Sequence, residues 1–293
     1  MPNWKDLLME INQSGSTYDL IRRKYLLNLH DLTGRNVIAY YSGWLQRKVP
    51  NVEINDSDKN GFMSVVCGLD RSKGLDLILH TPGGDVAATE SIVDYLDQMF
   101  GVRNIRAIVP QLAMSCGTMI SCACSEIIMG KHSNLGPIDP QLNDIPAHGV
   151  LEEFQTAVKE CKADPSKLGL WQAIIAKYRP TFLGECNKAI EWTEELVKDW
   201  LAKGMFAGSA NAQQTIQNIV KELGDHALTK SHNRHLSAEQ CKAMNLKVSM
   251  LEDNQDFQEA VLSVHHAFIH TLHAKNVSKI IENHNGDAFI MIA

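Results

Sequence analysis

Apolar runs bounded by turn residues recur along the first 130 residues, and this repeat constrains the fold more than any other feature. Segments 36–41, 75–81 and 105–110 are rich in β-branched and aromatic residues, which predicts strands. Each is followed by a turn and a helix-like segment, as in βαβ units with a parallel sheet and right-handed crossovers. Because the strands are continuously apolar, we expect a sheet covered on both faces.

The second half of the chain is predicted to be mostly helical. Apolar residues recur at helical spacing in segments 151–162, 168–177, 185–204, 209–224 and 256–275. Ser237 and Gln240 form the pattern of a capping box, and strand-like residues follow at 246–250. A basic, histidine-rich hairpin is a candidate at 228–235.

These patterns predict an α/β protein with three parts. A helical arm covers residues 1–35, one α/β domain covers 36–250, and a helical tail covers 251–293. Neither an internal repeat nor a low-complexity linker separates them.

Composition excludes several functional classes. A net charge of −6 without an arginine-rich run argues against a nucleic-acid partner. The first residues lack the apolar core of a signal peptide, and no apolar stretch approaches the ~18 residues that a membrane span needs. Seven scattered cysteines are typical of reduced thiols, so we expect a cytoplasmic protein.

The first chemically suggestive turn is Thr81-Pro82-Gly83-Gly84-Asp85, directly after a predicted strand. Adjacent glycines adopt backbone angles closed to other residues and can point successive amides into one concavity. At the carboxyl edge of a parallel sheet, such amides can bind a developing oxyanion. A tight strand-to-helix turn with no chemical role explains the same residues.

The second turn, Ala113-Met114-Ser115-Cys116-Gly117, also joins a predicted strand to a predicted helix. There the helix dipole favours negative charge on the Ser115 oxygen, and Gly117 leaves room for a substrate. Ser115 also fits the role of a plain helix N-cap. Two such turns on consecutive βα units, one with amides and one with a hydroxyl, favour a nucleophilic serine.

Three motifs together resemble the serine dehydrogenase proteinase family, a group of Clp-fold serine proteases related to signal peptide peptidase A. They are His80-Thr-Pro-Gly-Gly-Asp, Ala113-Met-Ser-Cys-Gly-Thr and Leu135-Gly-Pro-Ile-Asp-Pro-Gln. The resemblance extends from about Asn36 to about Met250. It implies a ClpP/crotonase-like fold of repeated ββα units, helices that make homo-oligomer contacts, and peptide or protein substrates.

The resemblance also implies the roles of particular residues. Ser115 is the expected nucleophile, with oxyanion donors at Gly83 or Gly84 and at the amide of Cys116. Signal peptide peptidase A uses a lysine base downstream of its serine, and Clp protease uses a histidine and an aspartate. The segment that matches the Clp histidine region, 133–140, contains no histidine, which favours lysine.

The identity of the base stays open among several residues. Lys177 is preferred because it precedes a long predicted helix, as the signal peptide peptidase A lysine does. The other lysines considered are Lys131, Lys159, Lys162 and Lys167. His132 and His148 offer a serine–histidine alternative, and Asp139 either orients a base or is a turn residue.

No cofactor or metal is predicted. His226, His232, His235, His266 and His270 lack a zinc-like frame of cysteines or carboxylates. No Gly-x-x-x-x-Gly-Lys loop is present, so any ATP dependence would require a partner.

Two further functions compete with a serine endopeptidase. A crotonase-like acyl-CoA enzyme would use the same fold and oxyanion hole without a nucleophilic serine. A non-catalytic oligomeric scaffold would need neither turn.

Overall fold

A seven-stranded, mostly parallel sheet forms the centre of the protein. The computed structural model describes Leu7, Met9, Glu10 and residues 18–142, 145–210, 212–224 and 231–293. The strands are β1 (Asn36–Ser42), β2 (Leu75–His80), β3 (Ile105–Val109), β4 (Leu112–Ala113), β5 (Glu126–Met129), β6 (Asn134–Leu135), β7 (Gln141–Leu142), β8 (Ile145–Pro146), β9 (Leu236–Ser237), β10 (Val248–Met250), β11 (Val277–Asn283) and β12 (Ala288–Ile292).

Helices lie between and around these strands. In chain order they are α1 (Tyr18–Thr33), α2 (Ser57–Val66), α3 (Val86–Phe100), α4 (Cys116–Ala123), α5 (Ala147–Ala163), α6 (Leu168–Ile175), α7 (Phe182–Lys203), α8 (Ala212–Gly224), α9 (Ala238–Ala243) and α10 (Gln255–Ala274). Two features considered in the sequence, the hairpin at 228–235 and His226, lie largely outside the described residues. The described chain resumes at Ser231, and it contains no strand between that residue and β9.

The main sheet has the strand order β10-β5-β3-β2-β1-β11-β12. Strands β10, β5, β3, β2 and β1 pair in parallel, whereas β11 pairs antiparallel with both β1 and β12. A second small sheet joins β4, β6 and β9. This arrangement confirms the predicted α/β class and parallel sheet, but it does not confirm repeated ββα units.

Alternate residues of each central strand enter two different cores. Ile38 and Tyr40 of β1 pack with α2, α3, α4, α7 and α8 on one face of the sheet. Val37, Ala39 and Tyr41 pack with α1 and α10 on the other face. Both faces are therefore covered, which explains the continuous apolar runs of the strands.

Helices α5 and α6 and the first half of α7 form what we call the helical arm from here on. It is distinct from the N-terminal segment 1–35 and has a small core of its own. Ala147, Val150, Phe182 and Cys186 are buried together in that core. Helix α6 contains no buried residue at all. The arm therefore depends much less on the main sheet than the other helices do.

The predicted helical tail proves to be only partly helical. Helix α10 matches the predicted segment, but the chain then enters β11 and β12 of the main sheet. The turn between these strands contains Asn285-Gly286, with Gly286 at φ +89°, which is a typical hairpin signal. None of the helices in the described ranges is long and apolar enough to cross a bilayer.

Candidate active site

The two turns singled out in the sequence lie side by side. Thr81, which follows β2, pairs with Ala113 of β4 in an isolated parallel bridge. The Thr81 amide donates to the Leu112 carbonyl at 3.1 Å, and the Met114 amide donates to the Thr81 carbonyl at 3.0 Å. These bonds fix the glycine turn against the serine turn.

Ser115 has a backbone conformation that is rare for a residue with a side chain. Its φ is 50° and its ψ is −116°, and it occupies the N-cap position of α4. A conformation of this kind costs on the order of 1–3 kcal/mol and is found where the surrounding structure imposes it. Ser115 nevertheless makes no side-chain cap hydrogen bond, so capping does not explain why a serine is present.

Gly83 allows the glycine turn to approach Ser115 closely. Its φ is +97°, and a Cβ at this position would lie 2.7 Å from the Ser115 Cβ and 3.0 Å from the Cys116 nitrogen. Gly84 is equally confined, because a Cβ there would lie 2.3 Å from the Ile54 nitrogen. Ile54 braces this turn through hydrogen bonds with Gly83 and Asp85 at 2.7 and 2.9 Å.

The amides around Ser115 differ in their hydrogen bonding. The Gly83 amide donates to the Thr81 hydroxyl at 3.2 Å. The amides of Gly84 and Cys116 make no hydrogen bond to any described residue. Two backbone donors close to Ser115 thus have no acceptor within the described chain.

The Cys116 side chain stabilises this arrangement rather than competing with Ser115. Its thiol donates to the Gly84 carbonyl, with Sγ and oxygen 3.0 Å apart. Burial raises the pKa of the Cys116 thiol, and hydrogen bonds with the hydroxyls of Thr89 and Ser115 offset part of this rise. A buried thiol with a raised pKa stays protonated and is a poor nucleophile.

Ser115 opens onto a cavity of about 780 Å³ that has two walls. The sheet wall consists of Ile54, Gly83, Gly84, Asp85, Ser115 and Met119. The outer wall includes the apolar residues Ile138, Pro140, Leu142, Ala189 and Trp192 and the polar residues Gln141, Thr193 and His232. A volume of this order accommodates a peptide segment, and this wall offers it both apolar and polar side chains.

His232 and Asp139 form a pair at this cavity. The Nδ1 atom of His232 lies 2.9 Å from Oδ1 of Asp139. The Asp139 side chain is fully buried, and that of His232 is 20% exposed. The buried Asp139 carboxylate therefore contacts the His232 imidazole at Nδ1, while the ring remains partly exposed at the cavity.

The lysines considered as bases lie elsewhere. Lys177 is exposed just after α6, and Lys131, Lys159 and Lys162 are exposed as well. Lys167 pairs with Glu160 at 3.2 Å. No lysine is found among the described residues that line the cavity. His132 and His148 are also absent from that lining, and the histidine that does line it had been considered only as a metal ligand.

His80 belongs to the glycine motif but not to the cavity. Its ring packs against Tyr41, Trp44 and His265 on the α10 side of the sheet. Burial lowers its pKa to about 3, so the imidazole is neutral at physiological pH. We therefore assign it to the core. The described residues hold no cluster of three or more histidine, cysteine, aspartate or glutamate side chains suited to a metal ion.

An α/β fold with a serine at a sharp strand-to-helix turn, beside paired glycines and a cavity, is the arrangement of serine hydrolases. Comparison with known proteins gives the family. The chain belongs to the ClpP-like SDH-type serine proteinases, whose family description it matches over residues 49–276.

Three relatives from Methanocaldococcus jannaschii match shorter stretches. Uncharacterized protein MJ0137 is 38% identical over 126 residues, which is 43% of this chain and 42% of the relative. Uncharacterized protein MJ1495 is 42% identical over 80 residues, which is 27% of each chain. The protein named "Putative protease MJ0651" is 26% identical over 111 residues, which is 38% of this chain and 34% of the relative. The chain thus spans less than half the length of these relatives.

Proposed function

We propose that this protein is a serine endopeptidase in which Ser115 attacks a peptide carbonyl. The Ser115 turn carries the proposal: the backbone has a φ of 50°, and the hydroxyl does not cap the helix. The same side chain lines the cavity. Attack by the serine oxygen gives an acyl-enzyme, which water then hydrolyses.

The oxyanion donors in this proposal are the amides of Gly84 and Cys116. Neither amide donates a hydrogen bond to a described residue, whereas the Gly83 amide donates to the Thr81 hydroxyl. Gly83 contributes by leaving space beside Ser115. Donors that are already oriented stabilise a developing oxyanion without reorganisation in the transition state.

Peptides are the substrates that family membership implies. The cavity supports an apolar side chain next to the scissile bond, because Met119, Ile138, Leu142 and Trp192 line it.

Lys177 stays a prediction as the base. It is exposed and is absent from the described lining, so the cavity offers it no support.

A fluorophosphonate probe tests the nucleophile directly. Wild-type protein should become labelled on Ser115 and cleave an unfolded protein substrate, and Ser115→Ala should lose both properties. Ser121→Ala is the matched control, because it removes a buried hydroxyl from α4 whose single hydrogen bond to a described residue is the one to the Gly117 carbonyl. A folded wild-type chain that never labels but binds an acyl-CoA thioester would instead favour the crotonase-like alternative.

A homo-oligomer and a cytoplasmic location remain part of the proposal. Exposed apolar side chains on the helical arm support self-association: Val158, Leu168 and Leu170 are 55%, 52% and 62% exposed. A protein that sediments as a monomer at micromolar concentration would contradict the oligomer.

A further inference from the structure

We infer that the buried ion pair of Lys279 and Asp58 positions the Gly84 amide, by binding the backbone on both sides of Ile54. The pair acts through Ile54 and is absent from the described lining of the cavity, so its members are positioning residues. The inference rests on the proposed function, in which Gly84 donates to the oxyanion. Lys279 lies beyond residues 49–276, over which the chain matches its family, so family membership does not imply this role.

The direction of the Gly84 amide depends on the peptide unit that it shares with Gly83. The Gly83 carbonyl accepts from the Ile54 amide at 2.7 Å. In a planar trans peptide unit, the carbonyl and the following N–H point in opposite directions. The Ile54 amide therefore turns the Gly84 N–H away from Ile54. A second bond, from the Asp85 amide to the Ile54 carbonyl at 2.9 Å, fixes the other end of the turn.

Ile54 is in turn held through the residues on either side of it. The Glu53 carbonyl accepts from Nζ of Lys279 at 2.8 Å. The Asn55 amide donates to Oδ2 of Asp58 at 3.0 Å. Nζ lies 2.7 and 2.8 Å from the two carboxylate oxygens of Asp58. One ion pair thus binds the backbone immediately before and immediately after Ile54.

The hydrogen-bonding capacity of the pair is used in full on the lysine side. An ammonium group has three donors, and Nζ of Lys279 has three acceptors in the two Asp58 oxygens and the Glu53 carbonyl. The Asp58 carboxylate also accepts from the Tyr40 hydroxyl at 2.9 Å. Both charged side chains are fully buried, so water does not compete for these contacts.

Stability alone does not explain an ion pair at this place. Two buried charges lose their hydration, and apolar side chains of similar volume are often equally stable or more stable there. Apolar side chains could neither donate to the Glu53 carbonyl nor accept from the Asn55 amide. These two backbone contacts are what the pair provides beyond packing, and both lead to Ile54.

The double variant Lys279→Met/Asp58→Asn tests the inference without leaving an unpaired charge in the core. The new amide oxygen can still accept from Tyr40 and Asn55, whereas the donor to the Glu53 carbonyl is lost. We expect fluorophosphonate labelling of Ser115 in the folded variant to slow about 10-fold to 100-fold, as for a small misplacement of a catalytic group. Peptide cleavage should lose kcat with KM nearly unchanged, because the Gly84 donor acts in the transition state.

Arg22→Met is the matched control, because it breaks another ion pair on β11. Arg22 and Glu282 are both fully buried, with Nε and the carboxylate oxygen 2.6 Å apart. The Arg22 guanidinium lies over the Phe268 ring, on the face of the sheet that α10 covers. This variant should lower the free energy of unfolding, measured in urea, and label at the wild-type rate where it is folded.

Hydrogen exchange of the Asp85 amide measures the support of the turn without relying on activity. The exchange should be faster in the double variant than in wild-type protein and in Arg22→Met, under conditions where all three are folded. Tyr40→Phe serves as a second variant if the double variant does not fold. It keeps the ion pair but removes one hydrogen bond from Asp58, and it should change labelling and exchange in the same direction to a smaller extent.

The outcomes separate this inference from the peptidase proposal. Wild-type protein that labels on Ser115, together with a folded double variant of unchanged labelling rate, overturns the positioning role and leaves the peptidase proposal intact. Equal slowing in Arg22→Met would also overturn it, since the effect would then follow from lost stability. A wild-type chain that never labels overturns the peptidase proposal, and unchanged exchange of the Asp85 amide in the double variant overturns the support of the turn.

Discussion

The two walls of the cavity are built by different means. The sheet wall follows directly from β2 and β4, and its turns are fixed by backbone hydrogen bonds between Thr81, Leu112 and Met114. The outer wall is assembled from distant segments, since Asp139 and His232 are 93 residues apart in sequence. Short motifs thus encode the wall that carries Ser115, the proposed nucleophile, whereas only the complete fold assembles the other wall.

The largest effect is expected at the sheet wall from Gly84→Ala. The new Cβ would lie 2.3 Å from the Ile54 nitrogen, so the turn must move and misplace the Gly84 amide. Loss of one oxyanion donor costs about 100-fold to 1,000-fold in rate. We expect the labelling of Ser115 and peptide cleavage to fall by at least that factor.

Gly169→Ala is the matched control, because a Cβ on this glycine of α6 meets nothing within 4 Å. The control should keep wild-type activity. Gly84→Ala protein with wild-type labelling would show that the glycine turn does not supply the oxyanion donor.

A second effect is expected from Lys279→Met, which acts on the support of the sheet wall. Lys279 and Asp58 are both fully buried, and Nζ lies 2.7 Å from the carboxylate. Nζ also donates to the Glu53 carbonyl at 2.8 Å, next to Ile54. Burial lowers the pKa of Lys279, and the Asp58 carboxylate offsets part of that shift. Removal of one partner from a buried pair destabilises a protein by about 3–5 kcal/mol.

The free energy of unfolding, measured in urea, tests this prediction. Labelling should also slow at temperatures where the variant is folded, since the Glu53 carbonyl loses its donor. Lys242→Met, on an exposed lysine, should change neither quantity. Equal stability of Lys279→Met and wild-type protein would contradict the assigned role of the pair.

The smallest effect is expected at the outer wall from Trp192→Ala. This side chain lines the cavity and is 39% exposed, so its loss removes apolar contact with the substrate but little core packing. We expect KM for peptides with large apolar residues to rise about tenfold, with kcat nearly unchanged, as for a loss of uniform binding.

Trp171→Ala provides the comparison for that experiment. Trp171 lies on the helical arm, donates to Glu160 at 3.1 Å and is not among the described lining residues. Trp171→Ala should leave KM unchanged. An unchanged KM in Trp192→Ala would mean that peptides do not contact the outer wall at this position.

The contrast between the walls also describes what the sequence could predict. The strands up to residue 129, both turns and Ser115 as a candidate nucleophile come from local patterns that recur at short range. Asp139 was recognised as a possible orienting group because it lies in a motif. His232 could not be selected, since nothing near it in sequence indicates that the fold places it at the cavity that Ser115 also lines.

Besides the proximity of distant residues, the sequence did not reveal which side chains are buried. Lys177 was preferred because of the helix that follows it, yet its side chain is exposed. Lys279, in contrast, was not considered, although it is completely buried against Asp58. A lysine in a strand-like segment looks the same in sequence whether it faces solvent or a carboxylate in the core.

The position of β11 has a consequence for how the protein acquires activity during synthesis. This strand pairs with β1, near the start of the domain, and delivers Lys279 to the loop that braces the glycine turn. Every candidate catalytic residue precedes it in the chain. We therefore expect a nascent chain to carry the whole catalytic set while remaining inert, until translation has passed β11 and this strand closes onto β1.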